Sequence, residues 1–361
     1  MAISCKDKDT TVFIGGVFPL SGGHASYGSE SRDGINLALE QINARGGVLG
    51  RKIAIIFEDD EGKAEMAVNA FSRLTNRDNV SIVIGSNLSG PTLAITPLAQ
   101  RNEILLISPT ATNIAVTQAG DFIFRACFID PFQGVAGANF AYEVLGSRRA
   151  AILFDESASY NSGLAEAFKN QFMALGGQVA AIEAYQTGDT NFNTRITRIK
   201  AANPDLIYLP NYYSDVSIQA KQLREQGVLS TLIGGDAWDE LINHAGDEVI
   251  NCFWSAGFAA DTTDPNGMAF VQAFEAQYNR PATQYAALSY DAMMLIADAI
   301  TAAGTFDTSA VKDAMARING NYATGNIRFD SDRNPIKGAV IIEIVKEDGR
   351  LVNKYKTTIN R

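Results

Sequence analysis

The chain has 361 residues, of which 46% are hydrophobic and 19% are charged, and its formal net charge is −10. This composition is typical of a folded globular protein, and the length exceeds what one hydrophobic core usually organises, so we expect two domains. The acidic balance argues against nucleic acid or a membrane surface as the partner, because a negative surface repels phosphate.

Short apolar runs alternate with amphipathic stretches in the first third of the chain. Strands are predicted at Val12–Phe18, Lys52–Phe57, Val80–Ile84 and Ile104–Ile107, and helices at Ser31–Ala44, Ala64–Leu74 and Pro91–Gln100. Strands separated by helices form βαβ crossovers, so this alternation predicts a parallel sheet with helices on both faces.

The same pattern starts again after the apolar segment Phe122–Phe128. The predicted elements are strands Ala150–Phe154, Val179–Ala184, Leu206–Leu209 and Thr231–Ile233, helices Ser162–Leu175, Asn193–Ala202 and Ser217–Gln226, a mostly helical region Pro265–Asn319, and final strands near Asn326–Phe329, Ala339–Val345 and Val352–Thr358. The fold class is therefore α/β, with two doubly wound parallel-sheet lobes. No Pro- or Ser-rich linker separates them, which favours a hinge made of short ordered segments.

Ligands of open parallel sheets bind beyond the carboxyl ends of the strands. The residues that follow the predicted strands here are hydroxyls, aromatic rings and a single carboxylate, with no lysine or arginine; the candidate ligand-binding residues are Ser89, Thr110, Thr112, Tyr160, Tyr212, Asp236 and Trp238. Ser89 and the prolines after it suggest a helix N-terminus, where free N–H groups favour an anion, Asp236 suits an ammonium, and the rings supply apolar walls. Together these groups fit an α-amino acid.

Each of these residues also has a structural interpretation. Serine and threonine after a strand usually form turns or helix caps, and Asp236 caps the next helix equally well. Aromatic side chains at strand ends are more often core or rim residues. Only the combination favours a binding site.

At these residues the chain resembles the leucine/isoleucine/valine-binding protein family, the type I periplasmic binding proteins of amino-acid transporters. The resemblance extends from Ile14 to Tyr355. It rests most specifically on the run Asn43–Arg51; the supporting segments are Phe18–Gly22, Tyr27-Gly28, Ile107–Thr112, Phe124-Arg125 and Ser289–Ala292.

The resemblance implies a two-lobed Venus flytrap with a three-segment hinge. Lobe 1 would comprise residues 1–129 and 259–336, and lobe 2 residues 130–258 and 337–361. The family's α-carboxylate site falls on Ser89 and Thr112, and its ammonium site on the Thr110 carbonyl, the Thr112 hydroxyl and Asp236. Its aromatic enclosure falls on Tyr27, Tyr160 and Tyr212. Trp238 is not a fixed family feature, so its pocket role is a prediction of this sequence alone.

The resemblance also implies a function. We expect a monomeric, extracytoplasmic protein that captures a small neutral or hydrophobic, branched-chain-like amino acid and delivers it to an ABC importer, without a cofactor. One alternative is a binder or sensor of the same fold for amides or aromatic acids. An enzyme is the other, but the sequence contains no GxSxG, HExxH, P-loop or GxGxxG motif.

The three cysteines have separate interpretations. Cys127 and Cys252 lie in apolar runs and are expected to be buried free thiols, and no zinc spacing is present. Cys5 follows Ala2-Ile3-Ser4, which resembles the end of a bacterial lipobox. It is either a lipidation site that tethers the protein to a membrane or an incidental residue.

Overall fold

Two separate sheets organise residues 11–360, the part of the chain that the computed structural model describes. The first is built by the elements β1 Val12–Phe18, α1 Ala25–Ala44, β2 Ile53–Asp59, α2 Ala64–Ser72, β3 Ile82–Gly85, α3 Ser89–Arg101, β4 Leu105–Ser108, α4 Ala115–Gln118 and β5 Ile123–Arg125. Its five strands are all parallel, in the order β2-β1-β3-β4-β5. Helices on both faces bury these strands, which is why they read as continuous apolar runs.

The second sheet begins after β5. Its elements are α5 Asp130–Asn139, β6 Arg149–Asp155, α6 Ser159–Ala174, β7 Gln178–Tyr185, α7 Asn193–Ala201, β8 Leu206–Leu209, α8 Tyr213–Glu225, β9 Thr231–Gly234, a 3₁₀ segment Asp236–Asn243 and β10 Phe253–Ala256. After α9 Pro265–Tyr278, α10 Gln284–Ala303, α11 Thr308–Met315, β11 Asn319–Tyr322 and β12 Gly325–Arg328, the chain returns to add β13 Ala339–Glu347 and β14 Arg350–Ile359. The strand order is β14-β13-β10-β9-β8-β6-β7.

Helices α9, α10 and α11 pack with the first sheet, so the polypeptide passes between the two bodies three times. The crossings fall between β5 and α5, between β10 and α9, and between β12 and β13. We call the body around the first sheet lobe 1 and the body around the second sheet lobe 2. The predicted fold class is confirmed.

Helix α10 is the core helix of lobe 1. It is long and apolar enough to cross a membrane by length and composition alone, but 67% of its apolar window is buried inside the protein. It lies against α1 so closely that a Cβ on Gly34 would stand 2.1 Å from the Ala286 carbonyl oxygen. A glycine is therefore required at this contact.

Several elements differ from the sequence prediction, α1 and α5 among them. Helix α5 was not predicted, because Gly134 and Gly137 interrupt its helical pattern and glycine is a poor helix former. Helix α1 begins at Ala25, six positions before the predicted start at Ser31, because the polar first turns carry no apolar periodicity. Both differences bear on the site, since α1 and α5 bring side chains into it.

Candidate functional site

The lobe 1 wall of the cleft is formed by the loops that follow β3 and β4. Ser89 is the first residue of α3, so its own N–H group and that of Gly90 have no intrahelical acceptor. Its hydroxyl oxygen accepts a hydrogen bond from the Asn113 backbone N–H at 3.3 Å. The Thr110 hydroxyl donates to the Asn87 carbonyl at 3.0 Å and accepts from the Asn87 side-chain amide, which ties the two loops together.

Thr112 differs from Thr110 because its hydroxyl is uncommitted. The Thr112 Oγ1 atom is buried and has no hydrogen-bond partner within residues 11–360. The loop that carries it is held by Arg125, whose guanidinium donates to the Ala111 and Asn113 carbonyls at 2.8 Å each. Arg125 therefore fixes the backbone of the lobe 1 wall.

The lobe 2 wall centres on Asp236, which lies two residues after the end of β9. Only 4% of this residue is exposed, and its Oδ1 atom accepts hydrogen bonds from the Tyr160 hydroxyl at 2.9 Å and the Gln133 amide at 3.0 Å. Asp236 is the first residue of the following 3₁₀ segment, whose N-cap position is Gly235. Burial raises the pKa of Asp236 to about 6, against the two hydrogen bonds that lower it. This carboxylate is thus poised for a cationic partner.

A second carboxylate, Asp130, lies near Asp236 and was not among the predicted site residues. It begins α5, is 1% exposed, and neither of its oxygens has a hydrogen-bond partner within the described residues. Burial raises its pKa to about 8, and the Asp236 charge adds to this shift. The sequence signal for this residue is the pair Asp130-Pro131, a typical helix start, but the sequence prediction uses this position only as the boundary between the lobes.

Aromatic rings from both lobes meet at the mouth of the cleft. Tyr27 of lobe 1 stacks on Tyr285 at 4.1 Å between ring centroids, and Tyr212 of lobe 2 stacks on Tyr160 at 5.2 Å. His24 joins the two groups, 4.8 Å from the Tyr212 ring, and burial lowers its pKa to about 4, so it is neutral at physiological pH. His24 and Tyr285 are further residues that the sequence did not reveal.

Direct hydrogen bonds join the two lobes across the cleft. The Tyr27 hydroxyl donates to the Ala237 carbonyl at 2.5 Å, and the Asn113 amide donates to the Ser159 carbonyl at 3.0 Å. Gln284 Nε2 donates to the Asp236 carbonyl at 2.5 Å. The structure thus has closed lobes, with the candidate residues between them.

Trp238 packs inside lobe 2. Its ring is 0% exposed, and its indole N–H already donates to the Leu209 carbonyl at 3.1 Å. The ring packs so tightly on Gly234 that a Cβ there would lie 2.0 Å from it. The predicted pocket role of Trp238 therefore rests on its ring face alone, because its polar tip is already hydrogen-bonded.

A cluster of acidic side chains lies on the far side of Gln284, beside a cavity of about 270 Å³. Glu30 comes from lobe 1, whereas Asp239 and Glu240 come from lobe 2. Arg280 pairs with Glu30 at 2.6 Å. Burial raises the pKa of all three carboxyls. The negative charge of Glu240 raises the pKa of Glu30 and of Asp239 further, and the charge of Glu30 also raises that of Asp239. Closing the lobes therefore brings like charges together.

The remaining sequence predictions concern cysteines and metals. Cys127 and Cys252 are buried free thiols, as predicted. Cys5 lies outside the described residues. Within residues 11–360, no group of three or more histidine, cysteine, aspartate or glutamate side chains is arranged to hold a metal ion.

Two α/β lobes that enclose a polar and aromatic cleft define a binding protein of the bilobal class. A model of the family described as periplasmic binding protein matches residues 11–350, and the chain belongs to this family. The Leu/Ile/Val-binding protein BraC3 of Rhizobium johnstonii is 31% identical over 312 residues, 84% of this chain and 83% of the relative. The predicted family resemblance is confirmed.

Solved structures agree with this assignment. The leucine-binding protein LivK of Thermotoga maritima superposes with a TM-score of 0.91 at 32% identity, over 97% of this chain and 99% of that one. LivJ of Streptococcus pneumoniae, solved with isoleucine, has a TM-score of 0.89 at 30% identity, covering 96% and 99%. A solute-binding protein of R. palustris, solved with benzoate, shares the fold with a TM-score of 0.87 at 22% identity, covering 97% and 98%.

Proposed function

We propose that this protein is the extracytoplasmic substrate-binding component of an ABC importer and that it captures a small neutral or branched-chain-like amino acid between its lobes. One observation carries the proposal. A receiver for an anion, at the start of α3, lies across one cleft from a buried carboxylate, Asp236, whose hydrogen-bond donors are both neutral. This pair matches the two charged groups of an α-amino acid.

The anion receiver is neutral and made of N–H and O–H groups. Helix α3 supplies the free N–H groups of its first turn, and the helix dipole favours a negative charge there. The Ser89 hydroxyl and the unpartnered Thr112 hydroxyl are further donors. A ligand carboxylate held here needs no lysine or arginine.

The ammonium receiver is built from acceptors. A buried carboxylate is tolerated only with a cationic partner or good hydrogen bonds, and the bonds from Tyr160 and Gln133 occupy only one Asp236 oxygen. The Thr110 carbonyl and the Thr112 hydroxyl oxygen provide the remaining acceptors. Three acceptors match the three N–H donors of an ammonium.

The side-chain region is enclosed by ring faces. Tyr27, Tyr160, Tyr212, Tyr285 and neutral His24 present flat apolar surfaces that favour a small, uncharged side chain. Relatives at about 30% identity carry names for leucine, isoleucine and valine binding. Those names support the same class of ligand.

The alternative ligands are aromatic acids and amides. The benzoate-bound neighbour shows that this fold accepts a ligand without an ammonium. Such a ligand would use the α3 terminus but would leave Asp236 buried without a cationic partner. The carboxylate therefore favours an amino acid.

The remaining parts of the proposal follow from the family. We propose a non-enzymatic role, a membrane permease as partner, no nucleic-acid partner, and a hinge at the three lobe crossings that opens the cleft when it is empty. Lipidation of Cys5 would tether the protein at its N-terminus. Mass spectrometry of the native protein tests that tether, and an unmodified Cys5 in membrane-extracted material would refute it.

A thermal-shift screen tests the ligand class. The twenty amino acids, common amides and aromatic acids are each added to the wild type and to Asp236→Asn, because a ligand that binds only the folded state raises the melting temperature. We expect leucine-like amino acids to raise the melting temperature of the wild type but not that of Asp236→Asn. Shifts produced only by benzoate-like acids or amides, and retained in the variant, would refute the amino-acid proposal.

A further inference from the structure

The carboxyl group of Asp130 has no partner that explains its burial. The residue is 1% exposed, and neither Oδ1 nor Oδ2 accepts a hydrogen bond within residues 11–360. The Thr112 hydroxyl is close enough to lower the pKa of Asp130 but does not reach hydrogen-bonding geometry. An ionised carboxylate in this environment would be strongly destabilised.

The charged and titratable groups around Asp130 do not neutralise it. Arg125, on β5, is the nearby cation, but its guanidinium donates to the lobe 1 loop rather than to Asp130, and its charge is the smallest of the influences on the pKa of Asp130. Asp236, after β9, carries the same sign of charge. The other titratable groups that face this cluster are Cys127, Tyr160, Tyr208 and Tyr212, and burial raises the pKa of each.

The proposed ligand supplies only one positive charge to the cleft. An α-amino acid has one ammonium, whose charge Asp236 balances, while its carboxylate is held by the neutral start of α3. An ionised Asp130 would then stay buried without a hydrogen-bonded partner of opposite charge among the described residues. Its place in the first turn of α5 favours the ionised form, but this dipole effect is smaller than the cost of burying an unpaired carboxylate.

We propose that the closed cleft binds its amino acid together with one proton, and that Asp130 carries this proton. The inference rests on the proposed function, since it requires an amino-acid ligand and a cleft that opens to water. In the open cleft Asp130 would have the ordinary acidity of an exposed aspartate. Closing over the ligand would then transfer a proton from solvent to the carboxyl, and the protonated Asp130 would donate its O–H inside the cleft.

The buried position explains why the proton is held at neutral pH, because the pKa of Asp130 rises from the ordinary range to about 8 in the closed lobes. A carboxyl whose pKa is higher in the bound state makes binding tighter as pH falls through that pKa, until the ordinary pKa is reached. Between about pH 8 and about pH 6.5 the affinity should therefore rise by up to about tenfold per pH unit.

Calorimetry with L-leucine in buffers of different ionisation enthalpy measures this proton directly. If leucine gives no thermal shift, the titrant is the amino acid with the largest shift in the screen. At about pH 7 we expect the wild type to take up roughly one more proton per ligand than Asp130→Asn. The asparagine matches the neutral acid in size and needs no proton, so its affinity should be independent of pH and tighter than that of the wild type, by a factor that grows as pH rises from about 6.5 to about 8.

The variant Asp236→Asn is the matched comparison, because it removes the carboxylate assigned to the ammonium. It should lose affinity and still depend on pH, with the dependence displaced to lower pH because the Asp236 charge no longer raises the pKa of Asp130. Proton uptake that comes from the acidic cluster around Asp239 would persist in Asp130→Asn, so only the difference between wild type and variant counts. Equal proton uptake in both proteins would overturn the proposal.

A loss of affinity in Asp130→Asn as large as in Asp236→Asn would also overturn it, since Asp130 would then be an ionised ligand of the ammonium. Either result leaves the proposed function intact, because amino acids still bind the wild type. If no amino acid binds the wild type in the screen, the proposed function fails and this proposal fails with it.

Discussion

The substitution Asp236→Asn separates a receiver for an ammonium from a structural aspartate. The asparagine oxygen can still accept from Tyr160 and Gln133, so the local shape and hydrogen bonds are largely kept. The charge is lost, and the new amide N–H₂ group presents donors to the ligand ammonium. Asp236→Ala removes the acceptors as well.

The magnitude follows from the burial of the carboxylate. Removing one member of a desolvated, hydrogen-bonded charge pair costs about 2–5 kcal/mol, which is about thirty- to several-thousand-fold in affinity. Without ligand the substitution acts in the opposite direction, but only on molecules whose lobes are closed. Because burial raises the pKa of Asp236 to about 6, replacing it relieves up to about 3 kcal/mol of desolvation cost in the closed form at neutral pH.

The assay is calorimetry for affinity and thermal melting for ligand-free stability. We expect Asp236→Asn to bind at least about thirtyfold more weakly and to melt no lower than the wild type at about pH 8. The stability gain should shrink as pH falls below about 6, where the wild-type carboxyl protonates.

Asp291→Asn is the matched control, because Asp291 is also buried and its pKa is also raised to about 6, but its hydrogen-bond partners all belong to lobe 1. It accepts bonds from the Ala323 and Thr324 N–H groups. Its replacement should change the melting temperature and leave the affinity within about threefold. Near-wild-type affinity in Asp236→Asn would refute the ammonium role and would favour an amide or aromatic acid as the ligand.

Four further predictions concern closure and packing. Tyr27→Phe removes the hydroxyl that bonds the Ala237 carbonyl across the cleft but keeps the ring on Tyr285, so calorimetry should show about two- to tenfold weaker binding. Trp238→Phe leaves a buried carbonyl unpaired and a small cavity, so urea unfolding should show a loss of about 1–3 kcal/mol, with little change in affinity. Asp239→Asn removes a carboxyl whose pKa burial raises, so binding at about pH 8 should be as tight as or tighter than in the wild type, and this advantage should shrink as pH falls. Small-angle scattering should show a smaller radius of gyration with ligand than without it, because the lobes close.

Each of these expectations has an outcome that contradicts it. For Tyr27→Phe the control is Tyr290→Phe, which removes a comparable hydrogen bond to Gln41 outside the cleft; equal affinities of the two variants would show that the interlobe bond does not matter. A loss of ligand binding in a stable Trp238→Phe protein would show that the Trp238 ring contributes to the binding site. Weaker binding of Asp239→Asn at about pH 8 would mean that its charge stabilises the closed lobes. An unchanged radius of gyration at saturation would argue for a rigid binder.

The sequence alone determined the fold class, the family and most of the lobe 1 wall. Alternation of short apolar runs with amphipathic stretches specifies parallel sheets covered by helices, because strands buried on both faces must be continuously apolar. In such sheets the strand ends converge at one edge, so Ser89, Thr110 and Thr112 could be placed together from their positions alone.

Only the tertiary structure decided which side chains face the cleft. The Asp236 carboxylate accepts a hydrogen bond from Gln133, which is 103 positions away in the chain, so its surroundings depend on tertiary packing. Trp238, two residues further on, turns into the core of lobe 2 and binds a backbone carbonyl there. A local sequence pattern cannot tell whether a side chain that follows a strand faces the cleft or packs in the core, because its direction depends on how the other helices and strands pack around it.

Asp130 is a second residue whose position the local sequence could not predict. The glycine-rich sequence of α5 has weak local helix propensity, so the helix depends on its packing against α6. That packing holds Asp130 at the lobe crossing beside Asp236 and away from water. The sequence specified where the strands end, and the long-range packing of α5 decided that a second carboxylate is buried between the lobes.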